Sequence, residues 1–345
     1  MAHCKILYPG LLGPDVPLEE LARSEWPDQQ QLPCLSLLFA RAQARAQLQV
    51  PFEHQLLSNL GYVISPQAEL PVAALRLQSD DDDKTPLWCL DPVYLQVDRE
   101  MAYLAATDEL DLSEQEARQL IRSINQHFGE ELHILYHKPQ QWLLRQRLHL
   151  RTHTPAEAMM HDIERMQVHG EDARRWASVL NEIQMLLHAH LVNATRLDKQ
   201  QRPVNSLWLW GGGDVHVTDP EVDVVYSNHA LAADAALRNA IAHEPLPDRI
   251  EASTLENRNV LLVITEQQRA IQQKDVYAWL ALLKQLEQQV LAPLFGMFTQ
   301  GNLQKLTLCS DSLCLDINQK DLRKWWRRRS RLDSKILHWR NSYAG

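Results

Sequence analysis

The residues best placed to do chemistry in this chain are Gly211-Gly212-Gly213-Asp214, which follow directly on the apolar run Leu207-Trp208-Leu209-Trp210. Three glycines behind a buried strand leave backbone N–H groups unshielded by side chains, so an anion can approach them closely. If that strand is parallel to its neighbours, the glycines sit at the carboxyl edge of the sheet, where α/β proteins bind ligands. The same residues also suit a tight turn that needs positive φ. Both readings, ligand site and turn, stand for Gly211 to Asp214.

A second group lies near the C-terminus. Between 320 and 340 there are nine basic residues against two acidic ones, in a chain whose net charge is -9. Leu322, Trp325, Trp326 and Arg329 recur at helical spacing. The spacing predicts a last helix over 320–331 that docks its tryptophans on the core and turns Arg327, Arg328, Arg329 and Arg331 toward an anionic partner or solvent. Nucleic acid is one partner such a patch could take. The net acidity of the remainder disfavours general affinity for nucleic acid or anionic lipid.

Other signatures fail on ligand count or spacing. The fifteen histidines include His188 with His190 and His216 with Asp214. Residues two apart on a helix point about 200° apart, and a lone pair on a strand supplies too few ligands for a metal. The sequence contains no Gly-Lys pair, GxGxxG, GxSxG, HExxH or CxxC, which removes the common nucleotide, serine-hydrolase and zinc readings. No metal ligands and no cofactor are therefore assigned. Five scattered cysteines read as reduced thiols of a cytoplasmic protein, with Cys309 and Cys314 as small apolar strand residues. Asp80 to Asp83 repel one another and read as a solvated loop.

The elements that must position these residues follow from periodicity. A chain of 345 residues with 45% hydrophobic residues and a mean hydropathy of -0.36 has room for two domains, and it holds no apolar run long enough for a membrane span or a signal peptide. Strands are predicted at Lys5–Tyr8, 206–210, 222–226 and 259–265. Helices are predicted at 32–50, 155–190, 230–241 and 275–299. A hairpin is predicted over 303–317, and a capping box at Ser113 and Glu116 opens another helix. The strand, strand, helix, strand, strand pattern over 91–150 reads as an inserted α+β subdomain. Residues 1–90 and 151–345 then supply an α/β core with a mostly parallel central sheet.

Asn181 to His188, Val192-Asn193 and Pro203 to Gly213 resemble a bacterial family described as cofactor-independent phosphoglycerate mutase-like or Rpf-type regulatory proteins. Asp91 to Leu95 and the stretch from Leu291 to Trp326 fit the same family, so the resemblance covers most of the chain. Pro203 to Gly213 and Pro33-Cys34-Leu35-Ser36 are also similar to segments of archaeal-type mutases of the alkaline phosphatase superfamily. That resemblance implies an alkaline phosphatase-like fold and, in a working enzyme, a phosphorylated serine with two divalent metals held by Asp and His. The carry-over fails residue by residue. The first strand of such enzymes ends in Asp-Gly where this chain has Pro9-Gly10, and no Asp-His dipeptide occurs. Neither Asp15 nor Ser36 matches a catalytic position. The expected function is a metal-site-deficient binding or regulatory protein whose ligand is another protein or a small anion. The alternatives are an active phosphoryl-transfer enzyme and an anion- or nucleic-acid-binding module.

Overall fold

A computed structural model describes residues 2–18, 21, 26–27, 31–47, 50–65, 67–77, 85–98, 101–105, 110–160, 162–255, 258–324 and 331–343. The chain forms two compact units, Met1–Gly61 with Thr218–Gly345, and Tyr62–Val217. The expected insertion over 91–150 falls inside the second unit, which begins earlier and ends later. The expected acidic loop over 80–83 lies outside the described residues.

The first unit is built on a seven-stranded sheet. Its strands are β1 (His3–Leu7), β2 (Gln43–Ala46), β3 (Val224–Ser227), β4 (Ala242–Glu244), β5 (Asn259–Val263), β6 (Lys305–Cys309) and β7 (Leu313–Asn318), in the order β4-β3-β5-β1-β6-β7-β2. The first five in that order are parallel, and β7 runs antiparallel to β6 and β2. This is the expected α/β architecture with a mostly parallel central sheet. Alternation sets the burial of β1: Cys4 and Ile6 enter the core, while His3 and Lys5 are half-exposed. The core face of the sheet packs on Trp279, Leu283, Leu294 and Phe298. Each fully buried Leu or Phe there contributes about 1.5–3 kcal/mol.

Those four side chains come from one long helical stretch, Val276–Gln285 followed by Ala292–Gln300, with a wide π turn at Leu286–Leu291 between them. Asp275 caps its start by accepting from the Ala278 N–H at 2.9 Å. The π turn has a local cause. Pro293 has no N–H for the Gln289 carbonyl, and that carbonyl instead accepts from the Ile250 N–H at 2.9 Å. The same turn carries the buried Glu287, whose carboxylate accepts from the N–H groups of Cys34 at 2.7 Å and Leu35 at 2.9 Å. It thereby caps the helix Pro33–Arg41, whose own first residues provide no side-chain cap.

That helix stops at Arg41, short of the predicted 32–50 span. Gln43–Ala46, though rich in helix formers, adds as an exposed strand to the free edge of β7, because an unpaired strand edge offers more backbone hydrogen bonds than an isolated turn of helix. The predicted helix over 320–331 is also corrected. A short helix, Gln319–Leu322, is opened by an Asn318–Asp321 capping box. The terminal helix is Leu332–Tyr343, with Leu332 and Ile336 in the core. Trp325 and Trp326 lie outside the described residues. A third correction concerns Cys309 and Cys314. They stand directly opposite each other on β6 and β7 with Cα atoms 4.1 Å apart, and they form a disulfide instead of two thiols. A cross-strand pair that close brings its side chains together. Cys4, Cys34 and Cys89 are not disulfide-bonded.

The second unit holds a four-stranded antiparallel sheet in the order Ser206–Trp210, Leu87–Val93, Gln141–Arg145, Ile134–Lys138. Helices Glu114–Phe128 and Ala173–His188 supply its core with Leu120, Ile124, Trp176, Ile183 and Leu187. The Ser113–Glu116 capping box is present. The predicted 155–190 helix is broken into Pro155–Met160, a 3-10 turn at Ile163–Met166 and Ala173–His188. No helix among the described residues is long and apolar enough to cross a membrane.

Candidate functional site

Parallel strands expose their last carbonyls and the loops behind them along one edge, and in the first unit that edge gathers the ends of β1, β3, β5 and β6. The loop after β1 is Tyr8-Pro9-Gly10. Gly10 has φ +75°, and a Cβ on it would meet Ile271 Cγ1 at 2.6 Å, so only glycine fits. Side chains from neighbouring strand ends pin this loop. Asp311 Oδ2 accepts from the Gly10 N–H at 2.7 Å and Ser310 Oγ from the Leu11 N–H at 3.1 Å. The Trp279 indole donates to the Gly10 carbonyl at 3.1 Å, and Gln267 Nε2 to the Pro9 carbonyl at 2.5 Å.

The Asp311 carboxylate therefore serves as a backbone clamp beside the end of β1. Two divalent metals would need several Asp and His ligands converging here. Pro9 offers none, and among the described residues no three His, Cys, Asp or Glu side chains come together to hold an ion. The residues present do not fit the metal pair that the resemblance implies.

Beside the clamp, between the ends of β1 and β5 and the π turn, is a cavity of about 90 Å³. Glu266 and Asp248 supply carboxylates to its lining, Tyr8, Asn228, Gln267, Gln285 and Gln289 the other polar side chains, and Leu282 and Leu286 part of its apolar wall. Among the described residues no Lys, Arg or His lines it. Burial, and then the negative charge of Glu266, push the Tyr8 phenol far up, so it stays protonated. At the end of β3, burial lowers His229 to about 4 and leaves it neutral; its ring meets Phe52 edge-on at 5.3 Å.

Gly211 to Asp214 are in the second unit, behind a strand that pairs antiparallel with Leu87–Val93, so they do not stand at the carboxyl edge of a parallel sheet. A four-residue apolar run specifies a strand but not its direction. The glycines meet close neighbours: a Cβ on Gly212 would lie 2.3 Å from the Trp88 ring, and one on Gly213 2.0 Å from the Glu69 carbonyl oxygen. The Gly213 N–H donates to the Leu70 carbonyl at 2.9 Å, the Gly211 carbonyl accepts from Ala73 at 2.9 Å, and Asp214 is exposed. Below this turn, Asp91 accepts from both Arg76 Nη atoms at 2.6 and 2.9 Å and from the Trp210 indole at 2.8 Å, all buried. Arg331 is paired with Asp333, and Arg327, Arg328 and Arg329 lie outside the described residues. Of the predicted histidines, His190 caps the helix Leu191–Asp198 by accepting from the Val192 N–H at 3.1 Å. Tyr8, Gln267 and Asp311 had no distinguishing sequence signal beyond the strand ends they follow.

No family profile matches the chain, and no curated protein matches it. Among solved structures, the PH0037 protein from Pyrococcus horikoshii is similar with a TM-score of 0.55 at 13% identity, over 98% of this chain and 92% of that one. The cofactor-independent phosphoglycerate mutase from Thermoplasma acidophilum DSM 1728 is similar with a TM-score of 0.49 at 13% identity, over 97% and 94% of the two chains. The likeness to the PH0037 protein is one of fold.

Proposed function

We propose that this chain is a binding or regulatory relative of the cofactor-independent phosphoglycerate mutases in which the phosphoryl-transfer centre is not assembled. One observation carries this reading: the end of β1 presents Pro9 where a ligating carboxylate would be needed, and the nearby Asp311 is held by the Gly10 N–H at 2.7 Å. Phosphoryl transfer depends on cations that neutralise the three equatorial oxygens of the moving group. Among the described residues the adjoining cavity offers the opposite sign, two carboxylates and no cationic side chain. A phosphomonoester entering it would meet like charge in a partly desolvated space, where repulsion is stronger than in water. The sequence resemblance over Pro203 to Gly213 and Pro33 to Ser36 supports the kinship with the mutases, and the ligand chemistry separates the chain from their reaction.

The test is an assay of the purified 345-residue chain for interconversion of the phosphoglycerates with manganese added, alongside metal analysis of the protein as isolated. The expected result is no turnover. Turnover of about 1 per second or faster, within the range of ordinary enzymes, would overturn the reading.

A further inference from the structure

The turn between β6 and β7 holds three separate segments in place. Asp311 Oδ2 and Ser310 Oγ accept from the Gly10 and Leu11 N–H groups of the loop after β1 at 2.7 and 3.1 Å. The Asp311 carbonyl accepts from Gln55 Nε2 of the helix Phe52–Asn59 at 3.2 Å, and the Ser312 carbonyl accepts from the Gln47 N–H, just past β2, at 2.8 Å. These anchoring residues all lie between Cys309 and Cys314, whose disulfide closes the base of the turn. A covalent cross-link between residues 5 positions apart restricts the directions in which Ser310 and Asp311 can point. The clamp on the Gly10 loop is therefore coupled to the state of that bond.

The surroundings suit the reduced pair as well as the oxidised one. The Gln47 amide oxygen lies against Cys314 Sγ. A thiol there donates its proton to that oxygen, whereas a disulfide sulfur has none to give. Access runs through the edge of the sheet. Cys314 stands beside Arg45 of β2, a four-residue edge strand exposed along its whole length, and such a strand opens at little cost. Cys314 is 5% exposed against 2% for Cys309, so it is the sulfur that an incoming thiolate meets. Attack forms a mixed disulfide at Cys314 and expels Cys309 as a thiolate, which takes a proton from water. A second thiol of the reductant then resolves the mixed disulfide. The pair gains two electrons and two protons, and the reductant leaves as its own disulfide. Two unbonded sulfurs cannot stay at covalent distance, so the strand ends part and the turn loosens.

We propose that Cys309 and Cys314 form a reversible thiol–disulfide switch, closed by oxidation and opened by a low-molecular-weight thiol, that sets how firmly the loop Tyr8-Pro9-Gly10 is held at the carboxyl edge of the sheet. The switch goes beyond the reading of the chain as a non-catalytic binder and does not depend on it.

The experiment equilibrates the 345-residue chain in glutathione buffers from fully oxidised to fully reduced. Thiols are counted by mass after alkylation, and amide hydrogen exchange is followed in both forms. The pair is expected to be reduced at one end of the series and to re-form at the other, with the fold retained. Exchange at Gly10 and Leu11 should rise about tenfold on reduction, the worth of a hydrogen bond to a charged group, while Val260 to Leu262 in β5 stay protected. Cys309→Ser with Cys314→Ser should show the faster rate in either buffer, and Asp311→Ala should show it at Gly10 with the disulfide intact. The proposal is overturned if the folded chain keeps its disulfide in reduced glutathione while a urea-unfolded sample loses it. It is equally overturned if Gly10 and Leu11 exchange at one rate in both forms, if Asp311→Ala leaves that rate unchanged, or if reduction unprotects β5 as well, which makes the bond a structural staple. Phosphoglycerate turnover with the switch intact would remove the reading as a non-catalytic binder and leave the switch standing.

Discussion

Replacing Asp91 with Ala is expected to cost the second unit about 5 kcal/mol or more. The carboxylate is 5% exposed and accepts four hydrogen bonds: Arg76 Nη1 at 2.6 Å, Arg76 Nη2 at 2.9 Å, the Trp210 indole at 2.8 Å and the Trp142 backbone N–H at 3.3 Å. Removing one member of a buried ion pair costs about 3–5 kcal/mol, because the other charge remains desolvated. Each buried donor that loses its acceptor adds about 1–3 kcal/mol. These contributions overlap, since Arg76 also lies 5.3 Å from the Trp210 ring and keeps that contact. Set against a total stability of about 5–15 kcal/mol for a domain, the loss brings the unit close to unfolding. Urea titration followed by tryptophan fluorescence is a direct assay, because Trp88, Trp142, Trp176, Trp208 and Trp210 all belong to this unit. The double variant Arg76→Met with Asp91→Leu removes both charges and should recover more than half of the loss. An Asp91→Ala variant within about 1 kcal/mol of wild type would refute the idea that this cluster supports the sheet and the glycine turn above it.

Two further outcomes follow from the first unit. Reducing the Cys309–Cys314 disulfide, whose partners are 5 residues apart, should lower stability by about 2 kcal/mol on the chain-entropy estimate for so short a loop; melting with and without a reductant checks it, and an unchanged midpoint in fully reduced protein contradicts it. His229 is held neutral by burial, its pKa lowered from 6.5 to about 4, so the native state binds fewer protons than the unfolded chain in that interval. Stability should be level above pH 6.5 and fall by up to about 3 kcal/mol as pH drops toward 4. His229→Phe should lose visibly less over the same range in urea midpoints, and an equal loss would place the proton uptake elsewhere.

Much of the fold was legible because local rules and tertiary structure agree. The Ser113–Glu116 capping box, the hairpin of β6 and β7 and the stretch beginning at Asp275 are written in residues within a few positions of one another. What was not legible depended on partners distant in sequence. Gln43–Ala46 has helix-forming residues, yet the open edge of β7 about 270 residues later recruits it as a strand. Leu207 to Trp210 announce a strand, but pairing with Leu87–Val93 alone decides that it runs antiparallel. The candidate site was hidden for the same reason. Gln267 is one glutamine among many until Pro9, 258 positions away, accepts its N–H.

The two crossings between the units have a consequence for how such a chain can be built and rebuilt. The second unit begins and ends at one point, where Tyr62 bridges Val217 and the Val63 N–H meets the His216 carbonyl at 2.8 Å. The first unit is interrupted at one point as well, for the Thr218 N–H donates to the Gly61 carbonyl at 2.8 Å. A gene encoding residues 1–61 joined through a short glycine linker to 218–345 would therefore leave every strand of the seven-stranded sheet in register. Residues 62–217 would start and finish side by side, the arrangement that tolerates cutting out, transplanting and circular permutation.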